Sequence, residues 1–177
     1  MIVKQISIYI LVIGLCFSLR SLALEIGDPD PDISGLAHTN KVLHFKDLYK
    51  SGYLLVFFYP RAHTPGCTAQ NESLRDQYQI LKQKNISMLG VSTDSVEKQK
   101  EFHQDLNLPF DLVSDEKEQI TKAFGVSVTF GFASRQAFLI KSGKIVWVDH
   151  NASTNEQAQD VLKAVANLEN NSNTHSK

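Results

Sequence analysis

Short apolar runs alternate along the chain with segments that are apolar on one side only. Residues 53–59 (YLLVFFY) form an unbroken apolar run, which is typical of a strand buried on both faces of a sheet. Further runs of this kind predict strands, and the two that flank Ser142-Gly143 predict a hairpin. The predicted strands are 53–59, 86–92, 111–113, 137–140 and 144–148.

Four segments carry apolar residues at helical spacing. Their bounds are 70–84, 96–106, 116–124 and 155–168. Gly125 follows the third segment, and we expect it to close that helix. Strand and helix alternate before a final hairpin and helix. This order predicts one three-layer α/β domain, a sandwich with a central mixed β-sheet.

The amino terminus has the features of a secretory signal. It carries a positive charge at Lys4, an apolar run from residue 6 to 19, and small residues at Ser21 and Ala23. The run is shorter than the about 20 residues that a membrane-spanning helix needs. We therefore predict export, with a signal peptide at residues 1–23, one domain at 24–168 and a polar, disordered tail at 169–177. An uncleaved amino-terminal anchor is the alternative; after cleavage we expect no membrane span.

Removal of residues 1–23 from the 177-residue chain leaves 154, enough for one domain with a core. It takes away two basic residues and no acidic one, so the formal net charge of −1 becomes −3. A net charge of −3 does not indicate a nucleic-acid-binding protein, which would need a clustered basic face. Cys16 is also removed, so Cys67 stands alone and no intramolecular disulfide can form.

Cys67 stands at a junction between a predicted strand and a predicted helix. It follows the strand 53–59 through a loop that contains Thr64-Pro65-Gly66, and we expect a helix to begin around Cys67. Loops at this position often carry the sites of α/β proteins. A cysteine in the first turn of a helix faces unpaired N–H groups and the positive end of the helix dipole. Both stabilise a thiolate, so we predict a nucleophile rather than a core residue.

The residues around Cys67 resemble the active-site signature of the peroxiredoxins. Pro60, Thr64 and Cys67 match the pattern P-x-x-x-T-x-x-C, and TPGCT resembles the Q-type subgroup, also called bacterioferritin comigratory proteins. The similarity continues, in the family's order, through DPDPD (28–32), LGVSTDS (89–95), LPFDLVSD (108–115), FGV (124–126) and RQAFLIKSGKIVW (135–147). The resemblance implies a thioredoxin-like fold and thiol-dependent reduction of hydrogen peroxide or organic hydroperoxides, without a metal ion or organic cofactor.

The resemblance also implies roles for four residues. Cys67 attacks the peroxide, and the hydroxyl of Thr64 lies between the sulfur and the peroxide. Pro60 walls one side of the pocket, and the guanidinium of Arg135 holds thiolate and peroxide together. The competing interpretations are that Thr64 only orders the turn, that Pro60 only ends the strand and that Arg135 is a surface residue.

The chain departs from the subgroup in one respect. Many Q-type members have a resolving cysteine five residues after the first, and this chain has Glu72 there. The resemblance therefore implies a one-cysteine mechanism in which an external thiol reduces the sulfenic acid. The reductant is a thioredoxin-like protein, a glutaredoxin-like protein or a low-molecular-weight thiol.

Other interpretations of the same residues remain. His63 suggests a Cys-His protease or metal site, but no other histidine has ligand spacing with it, so we expect a residue at the pocket rim. Phe130 and Phe132 either line an apolar substrate mouth or pack internally. A disulfide oxidoreductase would need Cys-x-x-Cys, whereas residues 67–70 read CTAQ. A non-catalytic binding or holdase domain is the remaining alternative.

Four Asn-x-Ser sequons bear on the compartment; they begin at Asn71, Asn85, Asn151 and Asn170. Asn71 lies four residues after Cys67 on the same predicted helix, where a glycan would crowd the site. A compartment without such glycosylation suits the chain better, so we predict the bacterial periplasm.

Overall fold

The computed structural model describes residues 23–49 and 52–174. The elements in these ranges are β1 (Ser34–Ala37), β2 (Val42–His44), a 3-10 helix (Phe45–Leu48), β3 (Tyr53–Phe58), α1 (Pro65–Asp76), α2 (Tyr78–Gln83), β4 (Ile86–Ser92), α3 (Val96–Leu106), β5 (Asp111–Ser114), α4 (Gln119–Phe124), β6 (Val128–Thr129), β7 (Phe132–Ala133), β8 (Ala137–Lys141), β9 (Lys144–Asp149) and α5 (Gln157–Thr174).

Seven strands form one mixed sheet in the order β2-β1-β5-β4-β3-β8-β9. β3 lies inside the sheet, parallel to β4 and antiparallel to β8. All six of its residues are buried, as a strand that is apolar on both faces requires. The predicted central mixed sheet is confirmed, and β6 and β7 pair separately as a small hairpin.

The side chains of β3 alternate between two hydrophobic cores on the two faces of the sheet. Leu55 and Phe57 enter the first core, and Val56 enters the second. Helices α1, α2, α3 and α5 cover the first core with Leu74, Leu81, Phe102 and Val161. The 3-10 helix and α4 cover the second with Phe45, Ile120 and Phe124. The predicted three-layer arrangement is thus confirmed, and Cys67 belongs to the first core.

The predicted helix 70–84 is two helices, and it begins earlier than expected. Gln77, with φ −99° and ψ 7°, separates α1 from α2. α1 begins at Pro65, because proline fits the first helical position, where its missing N–H would have no partner. The hydrophobic pattern missed this first turn because Pro65 and Gly66 carry no apolar periodicity.

The helix predicted at 116–124 begins three residues later, at Gln119. The carboxylate of Asp115 accepts hydrogen bonds from the backbone N–H groups of Ile120 at 2.9 Å and Thr121 at 2.8 Å. Residues 116–118 therefore form a turn across which Asp115 caps the helix. Gly125 closes α4 with φ 67°, as predicted.

The last helix is longer than predicted. α5 continues to Thr174, so residues 169–174, expected in the polar tail, are helical. An ion pair of 2.8 Å between Lys84 and Glu169 ties this extension to the loop after α2. Hydrophobic periodicity could not show it, because an exposed helical turn needs no apolar residue.

The predicted signal peptide falls almost entirely on residues 1–22, outside the described residues, as does the end of the tail at 175–177. In the described part of the chain, no helix combines the length and apolarity that crossing a membrane requires.

Four short strands were not predicted, namely β1, β2, β6 and β7. Each has two to four residues, too few to establish a period of two. Pairing of β1 with β5 also depends on Gly35, where a Cβ atom would lie 2.3 Å from Cγ1 of Val113. That close approach is available only to glycine.

Candidate functional site

Cys67 lies in the first turn of α1, as predicted. Thr64 is the N-cap with extended backbone, and Pro65 and Gly66 precede the cysteine in the helix. The N–H groups of this turn have no partners within the helix, and the positive end of the helix dipole points at the same place. The Cys67 side chain is completely buried in the first core, so the expectation that it would not be a core residue is wrong, whereas its position at the helix start agrees with the prediction. A negative charge on its sulfur would thus lie close to donors and away from water.

Arg135 is the charged neighbour of the cysteine. It lies between β7 and β8, and its Nη2 donates to Sγ of Cys67 at 3.4 Å. Gly66 leaves room for this approach, because a Cβ atom there would lie 3.3 Å from Nη2, a contact that would require the guanidinium to shift by a few tenths of an ångström. The structure therefore brings together the two residues that the sequence paired only through a family resemblance.

A second nitrogen of the guanidinium is held by a side chain that sequence reasoning missed. Nη1 of Arg135 donates to Oε1 of Gln70, and Nε2 of Gln70 donates to Oε1 of Gln157 at 2.6 Å. Both glutamines are completely buried. Gln70 had a visible signal, because it lies four residues before Leu74 on the buried face of α1. Gln157 had none, since 87 residues separate it from Gln70.

Asn71 is also completely buried. Its Nδ2 donates to the backbone carbonyl of Cys67 at 2.9 Å. The side chain therefore braces the helix at the cysteine instead of pointing to solvent. A glycan on this sequon would be incompatible with the observed packing.

Thr64 and Pro60 lie in the loop that leads to the cysteine. The hydroxyl of Thr64 donates to the carbonyl of Arg61 at 2.9 Å, so its hydrogen orders the turn while its lone pairs can still accept. Pro60 follows the end of β3 and is half-buried. The interpretation that Thr64 orders the turn therefore has direct structural support, and it is compatible with a further contact to substrate.

Asp94 holds the same loop from the neighbouring strand. Its Oδ2 accepts from the backbone N–H of Ala62 at 2.7 Å and from the hydroxyl of Ser92 at 2.8 Å. The carboxylate is buried. Sequence reasoning assigned Asp94 no function, although it follows β4 at the same sheet edge that carries the Cys67 loop.

Tyr59 forms a buried polar contact next to this loop. Its hydroxyl donates to Oε1 of Gln99, and Nε2 of Gln99 donates to Ser92 at 2.8 Å and to the carbonyl of Val113 at 2.9 Å. Burial raises the pKa of Tyr59 far above its usual range. The phenol therefore stays protonated and acts as a fixed donor to Gln99.

His63 lies in the loop that leads to Cys67, as expected. Its Nδ1 is 3.6 Å from a carboxylate oxygen of Asp105, and its ring packs edge-on against Phe102 with centroids 5.1 Å apart. The side chain is half-exposed. Across the described ranges 23–49 and 52–174, no three His, Cys, Asp or Glu residues are grouped so that they could hold a metal ion.

The two phenylalanines near Arg135 face solvent. Phe130, at the tip of the β6–β7 hairpin, is 95% exposed, and Phe132 is 40% exposed. The guanidinium of Arg61 lies 5.7 Å from the ring centroid of Phe132. The interpretation that Phe130 packs internally is therefore wrong. The two rings form exposed apolar surface on the β6–β7 hairpin, beside the loop that carries Arg61.

Glu72 stands where the resemblance to the Q-type subgroup implied a second cysteine in many members. Its carboxylate lies 3.5 Å from Nη1 of Arg75 in an ordinary ion pair along α1. Cys67 is thus the one thiol among the described residues.

Comparisons with known proteins agree with the sequence resemblance. Residues 26–148 match the model of the AhpC/TSA family. Peroxiredoxin Bcp of Escherichia coli (strain K12) is 36% identical over 147 residues, which are 78% of this chain and 94% of that protein.

Solved structures show the same similarity. Peroxidoxin BcpB of Mycobacterium tuberculosis is 28% identical with a TM-score of 0.77, over 81% of this chain and 97% of that one. The bacterioferritin comigratory protein of Xanthomonas campestris, whose structures concern alkyl peroxide reduction, is 25% identical with a TM-score of 0.72, over 81% and 96%. These matches confirm the predicted resemblance and the predicted thioredoxin-like fold.

Proposed function

Since this chain belongs to the AhpC/TSA family and its relatives are peroxiredoxins, which are thiol-dependent peroxidases, we propose that Cys67 is its peroxidatic nucleophile. One observation carries the proposal. The sulfur of Cys67 is completely buried at a helix start, with Nη2 of Arg135 at 3.4 Å. A buried thiol used only for packing has no need of a guanidinium against its sulfur.

The reaction begins with attack of the Cys67 thiolate on the terminal oxygen of the peroxide. An S–O bond forms, the O–O bond breaks, and its electron pair leaves on the second oxygen, which takes a proton to become an alcohol or water. Cys67 is left as sulfenic acid. The sulfur is oxidised and the peroxide is reduced, without a further redox group.

Arg135 and the first turn of α1 stabilise the charge that moves in this step. The guanidinium stabilises the thiolate before attack, and its fork of fixed donors can follow the charge onto the departing oxygen. The N–H groups of the helix start contribute in the same direction. Because these groups are held by the fold, they need no reorganisation during the reaction.

Thr64 and Pro60 complete the pocket in this proposal. The hydroxyl of Thr64 offers a lone pair to the proton of the incoming hydroperoxide while its own hydrogen remains on the carbonyl of Arg61. Pro60 has no N–H and therefore presents an apolar wall that needs no water. Both residues precede Cys67 in one loop, so one segment orients the substrate.

We further propose a one-cysteine cycle that reduces hydrogen peroxide and organic hydroperoxides. An external thiol attacks the sulfenic acid, releasing water and leaving a mixed disulfide on Cys67, and a second thiol releases Cys67 as the free thiol. Glu72 at the resolving position and the lack of another cysteine after residue 23 support this cycle. The reductant is a thioredoxin-like or glutaredoxin-like protein or a small thiol.

We also propose that the chain is exported to the bacterial periplasm and that residues 1–23 are removed. The sequence of that segment supports export, and the complete burial of Asn71 argues against a compartment that glycosylates sequons. Subcellular fractionation with intact-mass analysis tests this proposal. A cytoplasmic protein that retains Met1 would contradict it.

Rapid mixing of the reduced mature protein with one equivalent of hydrogen peroxide tests the catalytic proposal. We expect fast loss of the thiol and one dimedone adduct on Cys67 by mass spectrometry, absent in Cys67→Ser. tert-Butyl hydroperoxide in place of hydrogen peroxide tests organic substrates. If Cys67 reacts no faster than free cysteine with either peroxide, the proposal fails and the non-catalytic binding domain takes its place.

A further inference from the structure

Four side chains from three parts of the fold form a continuous chain that ends on the sulfur. Oε1 of Gln157, the first residue of α5, accepts from Nε2 of Gln70 at 2.6 Å. Oε1 of Gln70 accepts from Nη1 of Arg135, and Nη2 of Arg135 donates to Sγ of Cys67 at 3.4 Å. α5 is thereby linked to the cysteine through α1 and the loop before β8.

The chemistry of the groups fixes the direction of every bond in this chain. A guanidinium has donors only, so the amide of Gln70 must turn its oxygen to Arg135. Its NH₂ group must then point the other way, where a buried donor needs an acceptor. Gln157 supplies that acceptor. If Gln157 did not accept from this NH₂ group, the amide of Gln70 would be free to turn over. Its NH₂ group would then face the guanidinium, donor against donor.

We propose that Gln157 is a positioning residue for Arg135, acting through the amide of Gln70. This inference rests on the proposed function of Cys67 and Arg135. Gln157 locks the orientation of Gln70, and Gln70 then holds one nitrogen of the guanidinium so that the other faces the sulfur.

Two observations favour this role over a purely structural one. Nε2 of Gln157 is buried without a hydrogen-bond partner among the described residues, a cost that an apolar side chain of similar length would avoid. The helices are also joined without Gln157, because the N–H of Ala158 donates to the hydroxyl of Ser73 at 3.3 Å. Stability alone therefore does not explain a glutamine here.

Three variants of the full mature chain test the proposal. Gln157→Met keeps the length of the side chain and removes the acceptor, while Gln157→Glu keeps an acceptor oxygen for Gln70. Val161→Ala is the matched control, because it weakens the packing of α5 one turn later without touching the hydrogen-bonded chain. Each is measured for the rate of Cys67 oxidation by hydrogen peroxide, the pH profile of its alkylation by iodoacetamide, and Tm.

We expect Gln157→Met to oxidise about tenfold more slowly, since loss of orientation near a reacting atom has effects of this order. Its alkylation profile should move to higher pH, because the guanidinium is less well aimed at the sulfur. Gln157→Glu should stay within about threefold of the wild-type oxidation rate. Val161→Ala should have a lower Tm than the wild type but the same rate of Cys67 oxidation and the same pH profile of alkylation. A Gln157→Met variant with lower Tm but unchanged rate and profile overturns the proposal.

A double-mutant cycle with Arg135→Lys adds a test that does not depend on stability. If Gln157 acts through Arg135, Gln157→Met in the Arg135→Lys background should cause no further loss of rate. If the rate losses of the two single variants multiply in the double variant, the two residues act independently and the proposal is overturned. Failure of the proposed function is distinguishable, because the wild-type protein itself would then show no fast oxidation at Cys67. If Gln157→Met does not fold, Gln157→Glu must still retain the rate, and a loss there without a Tm change also overturns the proposal.

Discussion

Arg135 and Cys67 are 68 residues apart in the chain, yet Nη2 of Arg135 lies 3.4 Å from Sγ of Cys67. The cysteine comes from the start of α1 and the arginine from the segment before β8, the antiparallel neighbour of β3 in the sheet. Because β3 and β8 pair directly, the carboxyl end of one strand lies beside the amino end of the other. Sheet topology, not local sequence, produces the contact.

Replacement of Arg135 tests this contact. Arg135→Lys keeps a positive charge but loses the planar fork that bonds Gln70 and the sulfur together. We expect the rate of Cys67 oxidation to fall by about a hundredfold, since loss of one preorganised donor has this size of effect. Stopped-flow measurement of thiol loss checks it. Arg61→Lys is the control, because Arg61 is exposed and contacts Phe132; it should change the rate by less than about twofold. Equal effects of both changes would contradict the prediction.

Much of the fold was predictable because its elements are long and periodic. The strand at 86–92 and the helix at 96–106 agree with β4 and α3 to the residue. The helix start is also marked by Ser95, whose hydroxyl accepts from the N–H of Lys98 at 3.4 Å. The missed β1, β2, β6 and β7 carry no such pattern, and their formation depends on neighbours distant in sequence.

The site was predictable only in part, for the same physical reason. Cys67 had local signals in the strand, turn and helix around it. Arg135 was linked to it by resemblance alone. Gln70 lay on a buried helical face and could have been found, but Gln157 is brought to it by the packing of α5 on α1, which no local pattern encodes.

The carboxylate of Asp94 should contribute to stability as well as to the site. Asp94→Ala leaves the buried N–H of Ala62 and the hydroxyl of Ser92 without this acceptor. We expect the free energy of unfolding to fall by about 2 kcal/mol, the usual cost of an unsatisfied buried group. Urea unfolding measures it. Asp105→Ala, which removes an exposed partner of His63, should change stability by less than about 0.5 kcal/mol. A similar change in the free energy of unfolding of both variants would show that the hydrogen bonds of the buried Asp94 carboxylate stabilise the fold no more than the exposed Asp105 carboxylate does.

Two stacked histidines predict a pH dependence of stability. The rings of His38 and His103 lie 3.8 Å apart at 16°, and burial lowers the pKa of both below the usual value. Charge repulsion from His38 further lowers the pKa of His103, while Asp111 opposes the shift in both. The folded state therefore binds protons less readily than the unfolded chain, whose histidines titrate near about 6.5.

The sign follows from that difference. The contribution of these two histidines to the free energy of unfolding is fully present above pH about 6.5. It is lost as the pH drops from there through the lowered pKa values of the folded state. We expect urea unfolding midpoints to be lower at pH 5.5 than at pH 7.5, with a smaller difference in His103→Phe, which keeps a stacked ring without a titrating group. An equal pH effect in the wild type and the variant would assign the effect to other residues.

The position of Glu72 offers a direct test of the one-cysteine cycle. Glu72→Cys restores a thiol five residues after Cys67, while Glu72→Ser removes the same ion pair with Arg75 without adding one. Five residues of helix advance by about 7.5 Å, which exceeds the about 7 Å between Cα atoms that a disulfide tolerates. A bond between the two cysteines therefore requires the first part of α1 to unwind.

We expect peroxide to convert Glu72→Cys to an intramolecular disulfide, seen as the loss of two mass units and of reactivity towards dimedone. Glu72→Ser, like the wild type, should stop at the sulfenic acid and yield the dimedone adduct. If Glu72→Cys also stops at the sulfenic acid, α1 does not open at Cys67. An external thiol would then need to reach a sulfur that is completely buried, and the resolving step of the proposed cycle would lose its physical basis.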